Sequence, residues 1–504
     1  MRRMLVLLVA VLMFITSWAS AASPPLKRIT VAESTEVRPS HAWALETDDA
    51  EHLSRTSVCE TLVKIDVDGR LTPGLAESWQ RTDQTTWQFK LRSGVKFQNG
   101  EPFNAQAVIT ALNHIRSVPT LPRGFTANTI TSVNAAGDMA VVIRTGAPDT
   151  LLPNRLFSYN TCILAPSAYK AGAQPNPLGT GTGPFVLTQA AQDVLKLMKN
   201  KNYWGGPVTI DEATWLFVPD GVVRAGMVRT GEADIANNVP VSQVPLLEKD
   251  ARVTVMRSPD PRTVTFYFNV SRRPFTDVRV RRAIQYAIDK KAIVNSILEG
   301  IGQPAVGPFA PTEKTWLNSR LKGYPYDPQR AKTLLAEAGY KPGDLKFALL
   351  TYPSRAELPP TAEAIQKMLK DVGIVADLQV KPLVDEDAVA GKFDTLLLSR
   401  GHLVDVYDPE GFLTADYSCK GTYNISQYCN PRVDAFLAQV RDARVPEARY
   451  NLYRQIQSVL VDDEAVSVFV YHPITIVAHD KKVLNYRQYP LTRYILTPTL
   501  DIAR

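Results

Sequence analysis

The opening stretch, MRRMLVLLVAVLMFITSWASAASPP, constrains the rest of the chain more than any other. Arg2 and Arg3 precede an apolar run from Leu5 to Ile15, and Ala19–Ala21 supplies the small residues of a cleavage site. That order is the grammar of a secretory signal. The run is too short for a comfortable bilayer span, and no second apolar run of that length follows. The expected signal is residues 1–21, and the mature chain is expected to fold in an oxidising compartment, where cysteines pair. The first cysteine is Cys59, so no cysteine stands at the cleavage site to carry a lipid. The expected product is soluble and not a lipoprotein.

The compartment gives meaning to the cysteines, of which there are four. Cys419 and Cys429 bracket a polar loop, CKGTYNISQYC. Zinc sites usually bring two close pairs, and this loop has one wide pair. A Cys-x-x-Cys redox motif is absent. The simplest reading is a disulfide that staples the loop, contributing about 2–3 kcal/mol in the chain-entropy model. Cys59 and Cys162 then pair by elimination.

About 480 mature residues exceed what a single core organises and predict two or more domains. Loss of Arg2 and Arg3 with the signal lowers the net charge from +7 to +5, which is mild for this length. No run of five or more Lys and Arg occurs, and the balance does not imply nucleic acid. The densest basic cluster, VRVRR at Val278–Arg282, reads as a solvated helix face.

Periodicity places the elements. RITVAES at Arg28–Ser34 reads as a strand, and Asp68-Gly69 sits between two short alternating runs as a hairpin turn. Trp87, Phe89 and Leu91 share one face of a strand that Gly94 breaks. Asn104 is a good N-cap for a helix whose stripe is Val108, Ala111, Leu112 and Ile115. Two helices meet near Asp289. Asp327, Pro328 and Gly339 mark the cap, first turn and end of another helix. LKFALLTY and VADLQVKPL read as strands flanking a helix closed by Gly373. Helices also follow Asn430 and precede the strand AVSVFVYH. Helices alternating with strands predict an α/β lobe.

Chemistry-bearing motifs are scarce. None of the six histidines (His41, His52, His114, His402, His472, His479) forms a His-Glu-x-x-His pair, and there is no Gly-x-Ser-x-Gly elbow. His472 and His479 read as structural. GTGTGPFVL lacks the Gly-Lys-Ser/Thr ending of a phosphate loop and reads as a turn entering a strand. No cofactor is expected, and no metal ligand set is assigned. A hydrolase or peptidase remains the alternative from another class, because triads are spatial. An exported α/β chain without a catalytic signature fits a binding protein better.

Several strings resemble the family 5 extracellular solute-binding proteins of ABC importers, the peptide, opine and nickel group. The signature block is LTPGLAESWQRTDQTTWQFKLRSGVKFQNGEPFNAQAV, Leu71–Val108, followed in family order by GTGPFVL, NKNYWGG, VRRAIQYAIDKKAIV, YDPQRAKTLLAEAGY and LYRQIQSVLVDD. The resemblance implies an α/β, two-lobed periplasmic-binding-protein fold, joined by two crossover strands around an interlobe ligand cleft. Lobe I is expected over residues 23–262 and again over 480–504, and lobe II over 263–479. It also implies a periplasmic monomer that hands a small solute to an inner-membrane ABC permease, and a loop staple near the cleft.

The segment SRGHLVDVYDPEGF, Ser399–Phe412, matches the family's cleft segment. By that resemblance Asp405 holds a ligand amine, and His402 replaces a tryptophan. Arg123 or Arg400 is expected to take a ligand carboxylate, with Phe125 and Tyr423 in the ligand-facing set. Asp408-Pro409 reads as a turn and helix start. The nickel-binding relatives give similar strings, but their tryptophans and arginine are not matched. Arg123 or Phe125 stands where one tryptophan is expected, FSYNTCILAP carries no arginine, and His402 replaces the other tryptophan. The resemblance therefore implies a short peptide, an opine or an opine-type metallophore with its metal, with a nickel chelate as the alternative.

Overall fold

Two mixed β-sheets organise the chain, and the backbone passes between them twice. The structure is a computed structural model describing residues 25–34, 43–170, 173–382 and 384–503. The signal expected over residues 1–21 and His41 lie outside the described residues. Among the described residues, no helix is long and apolar enough to cross a membrane.

The first sheet has seven strands in the order Val253–Pro259, Ile474–Asp480, Ile235–Ala236, Arg28–Glu33, Glu212–Phe217, Val194–Lys199 and Phe185–Ala190. The second has six, in the order Gln303–Pro304, Ser467–His472, Arg262–Phe268, Thr395–Gly401, Lys346–Thr351 and Val375–Val380. Its strand Thr395–Gly401 is buried along its whole length. Its apolar run is Leu396–Leu398, as burial on both faces favours. A four-stranded antiparallel sheet, Ala76–Arg81, Thr86–Leu91, Ala140–Arg144 and Ser132–Ala135, packs under helix Ala105–Ser117.

Each sheet has its own core. Ile29, Val31, Phe185, Trp215, Val477 and Leu496 fill the first. Phe266, Phe268, Phe275, Ile284, Leu349 and Ile365 fill the second. The crossings run side by side, between Pro259 and Arg262 and between His472 and Ile474. Asp260 ties them together by accepting from Thr475 Oγ1 at 3.0 Å. The second crossing comes before residue 479, the expected end of lobe II. Ile474–Asp480 belongs to the first sheet, where it pairs with Val253–Pro259 and Ile235–Ala236.

The local signals behave as side-chain chemistry requires. Asn104 accepts from Ala107 N at 3.1 Å, Asp289 from Ala292 N at 2.9 Å, and Asp327 from Arg330 N at 2.9 Å, each capping a helix. Gly69, at φ +78°, turns the hairpin between Val63–Ile65 and Leu71–Pro73. The basic cluster differs from its expected solvated face. Arg281 is 7% exposed, with Nη1 donating to Phe275 O and Nη2 to Glu464 O, both at 2.6 Å. Both disulfides are formed, Cys419–Cys429 and Cys59–Cys162.

Candidate functional site

Parallel strands aim their C-terminal ends at one side of a sheet, and open α/β sheets bind ligands there. Arg28–Glu33 runs parallel to Glu212–Phe217 and Ile235–Ala236 in the first sheet. Lys346–Thr351 runs parallel to Val375–Val380 and Thr395–Gly401 in the second. Residues just beyond these ends, Ser34 and Asn238 from one sheet and Tyr352 and Arg355 from the other, line a single cavity of about 570 Å³. Asp260 and Thr475, at the crossings, line it as well. Its volume lies in the ordinary range for small-molecule sites.

The arginines around this cavity are not equivalent. Arg224 spends its donors on the backbone carbonyls of Val218, Pro219, Asn237 and Asn238, at 2.6–2.9 Å. Arg262 donates to Ser399 O at 2.8 Å and to Asp260 at 3.3 Å. Arg355 donates no hydrogen bond among the described residues; its nearest carboxylate is Glu357, at 4.0 Å. Burial opposes the Arg355 charge, but Glu357, Tyr352 and Asp260 outweigh it and raise the guanidinium above its usual pKa. Arg355 is therefore a charged fork with its donors available at a cavity wall. Sequence reading missed it. The signal available was an arginine just past the end of a strand, LKFALLTY, already assigned.

Where the two halves meet, the structure gathers Asp405, Arg400, Arg123 and Tyr423. Asp405 is 3% exposed. One of its oxygens accepts from Arg123 Nε at 3.1 Å, the other from Arg400 Nη2 at 2.9 Å. Arg400 is gripped in turn by Asp416, at 2.8–3.2 Å. Arg123 is gripped by Asp48, which also accepts the Tyr159 hydroxyl at 2.7 Å. The result is a chain of alternating charge: Asp48, Arg123, Asp405, Arg400, Asp416. The Tyr423 ring, carried by the stapled loop, lies 5.2 Å from the Arg123 guanidinium and 5.0 Å from that of Arg400. Burial disfavours the charged form of both arginines, yet the flanking aspartates hold each well above its usual pKa. Unlike Arg355, both arginines spend their donors on carboxylates.

His402 places Nε2 at 2.7 and 2.8 Å from the two oxygens of Glu313, and its ring packs on Phe309 and Phe412. Phe125 is buried in the core beneath Ala105–Ser117. Asp408 caps helix Pro409–Tyr417 by accepting from Glu410 N at 3.0 Å, as its turn reading requires.

Strand ends from two sheets, two crossings and ion pairs that bridge the halves define a two-lobed protein that encloses a solute. The chain belongs to the bacterial extracellular solute-binding proteins, family 5, whose profile matches residues 70–424. It is the substrate-binding component of an ABC importer. It is 30% identical over 452 residues to the glutathione-binding protein GsiB of Escherichia coli (strain K12), covering 87% of this chain and 88% of that one. Its fold matches NikA from Staphylococcus aureus in complex with Ni(L-His)2, with TM-score 0.84, 23% identity, and coverage of 94% of this chain and 100% of that one. It also matches DppA from Helicobacter pylori in complex with the peptide STSA, with TM-score 0.83, 23% identity, and coverage of 95% and 98%.

Proposed function

We propose that this protein captures a short peptide or peptide-like solute bearing a carboxylate, in the cavity beside the two crossings, and passes it unchanged to an inner-membrane permease. The observation that carries this reading is Arg355, a charged guanidinium that donates no hydrogen bond among the described residues, on a cavity of about 570 Å³. A guanidinium fork matches a carboxylate bidentately, and such charge-assisted bonds are the strong ones. The relatives that bind glutathione and a peptide support the same class of solute. In this reading Asp405, Arg400, Arg123 and Tyr423 hold the two halves together, with His402 on the same segment as Asp405. The lobes divide at the two crossings, and the protein works as a periplasmic monomer delivered by the signal at residues 1–21. It is a carrier and not an enzyme.

The test is a melting-temperature screen of the mature protein against glutathione, di- and tripeptides, an opine and nickel–histidine. A ligand that binds only the folded state raises the midpoint as its concentration exceeds Kd. A rise with glutathione or peptides, and intact recovery of the ligand, is the expected result. A rise with nickel–histidine alone overturns the peptide reading, and cleavage of a peptide on incubation overturns the carrier reading.

A further inference from the structure

Asp405 is the one cleft-side carboxylate that the family resemblance assigns to a ligand amine. Both of its oxygens are already paired. Each of its oxygens accepts from a guanidinium, Arg123 at 3.1 Å and Arg400 at 2.9 Å. Arg400 comes from its own strand, Thr395–Gly401. Arg123 comes from the other half of the molecule, on the loop after helix Ala105–Ser117.

The position of Arg123 is fixed on both sides. Asp48 grips its Nη atoms, and the Tyr423 ring lies 5.2 Å from the guanidinium carbon. The next residue, Gly124, is at φ +76°. A Cβ there would meet Val406 Cγ2 at 2.6 Å and would lie 3.8 Å from Asp405 Cβ. Only glycine allows the backbone this close to the Asp405 segment, so Arg123 is pressed into place. Asp405 is 3% exposed, so an ammonium reaching it would have to displace Arg123 or the packing around it, and a guanidinium left buried with one partner fewer is strongly unfavourable.

We propose that Arg123 is a built-in replacement for a ligand ammonium, so the solute is recognised without a free amine, through its carboxylate. This rests on the peptide-like reading above and narrows it. The solute class becomes carboxylate-bearing peptides and peptide-like acids whose amine is blocked, cyclised or absent, as well as those whose amine stays outside the contact. The Asp405 charge then serves lobe closure, because its partner Arg123 arrives from the opposite half.

The experiment is calorimetric titration of the mature protein with matched probes: Ala-Gly-Gly, its N-acetyl form and its C-terminal amide, together with glutathione and N-acetylated glutathione. The expected result is that acetylation changes Kd by less than about threefold while amidation weakens binding at least about tenfold. Loss of about tenfold or more on acetylation overturns the proposal. Failure of every probe to bind refutes the peptide-like reading, and the ion pair is then read without ligand. Melting temperatures of Arg123→Ala, Asp405→Asn and the double variant form a cycle. A double variant no less stable than the worse single one supports the built-in cation; additive losses overturn it.

Discussion

Arg155 Nη2 donates to Glu410 Oε2 at 2.5 Å, joining the first-sheet half to helix Pro409–Tyr417 of the second. Glu410 is fully buried and also accepts from Arg441 Nε and Thr414 Oγ1, both at 2.8 Å. Burial raises its pKa, but Arg155 and Arg441 outweigh that and hold it below the usual carboxylate value. Removing one partner of a buried pair strands the others. Glu410→Gln is expected to lose about 3–5 kcal/mol of stability by denaturant titration. A loss under about 1 kcal/mol, the worth of an exposed pair, would show that the site is wet in solution.

Gly124 sets how closely the halves approach. An alanine Cβ there would clash with Val406 and would also occupy a left-handed backbone conformation. Gly124→Ala is expected to fold but to stay more open. Small-angle scattering with saturating ligand should give a larger radius of gyration than the parent. Equal radii would mean that Val406 yields.

Arg355→Met keeps the length of the side chain and removes its donors. Losing a hydrogen bond to a charged group is worth about 1.5–3 kcal/mol, or roughly tenfold to a hundredfold in affinity. Calorimetry with the ligand found by thermal screening checks this. An unchanged Kd would move the carboxylate site elsewhere.

Acid should weaken the fold through two buried histidines. Burial lowers both His52 and His472 to about 4. Below the ordinary imidazole value the unfolded chain takes up protons that the folded chain refuses. Stability present above pH 6.5 is therefore lost as pH falls towards 4, by up to roughly 3 kcal/mol for each residue. Glu33, lowered to about 2 chiefly by Arg55 against the opposing effect of burial, acts in a lower window, losing its contribution as pH falls from 4.5. Denaturant midpoints between pH 7 and 4.5 should fall, and His472→Gln should flatten the slope. A flat profile in the parent would refute the buried neutral state.

The two disulfides should differ in worth. Cys59 and Cys162 are 103 residues apart, and Cys419 and Cys429 only 10. In the chain-entropy model the long closure is worth about 4.7 kcal/mol and the short one about 3. Cys→Ser pairs compared by denaturant unfolding should keep that order. The reverse order would point to native-state contacts, such as the seating of Tyr423, as the larger contribution.

What could be read from sequence was what neighbouring residues decide. Asn104, Asp289, Asp327 and Asp408 bond to backbone a few residues on, so their roles are visible locally. Arg281 was not legible, because its carbonyl partner at Glu464 comes from far along the chain. Phe125 sits in a loop where an apolar ring fits a core and a ligand wall equally well by pattern. Asp405 was singled out by position, but its pairing with Arg123 depends on two loops meeting, which no spacing encodes. Arg355 stands in a polar stretch, and its place at the cavity follows only from where strand Lys346–Thr351 ends.

Strand Ile474–Asp480 lies between Val253–Pro259 and Ile235–Ala236, which do not pair with each other. Until the last portion of the polypeptide is available, the first sheet is missing an interior member and Val253–Pro259 has no neighbour to join. A chain made from its N-terminus is therefore almost whole before that half can close. Its folding is timed by its tail, and a product truncated before residue 474 should be a substrate for proteolysis and not a smaller working receptor.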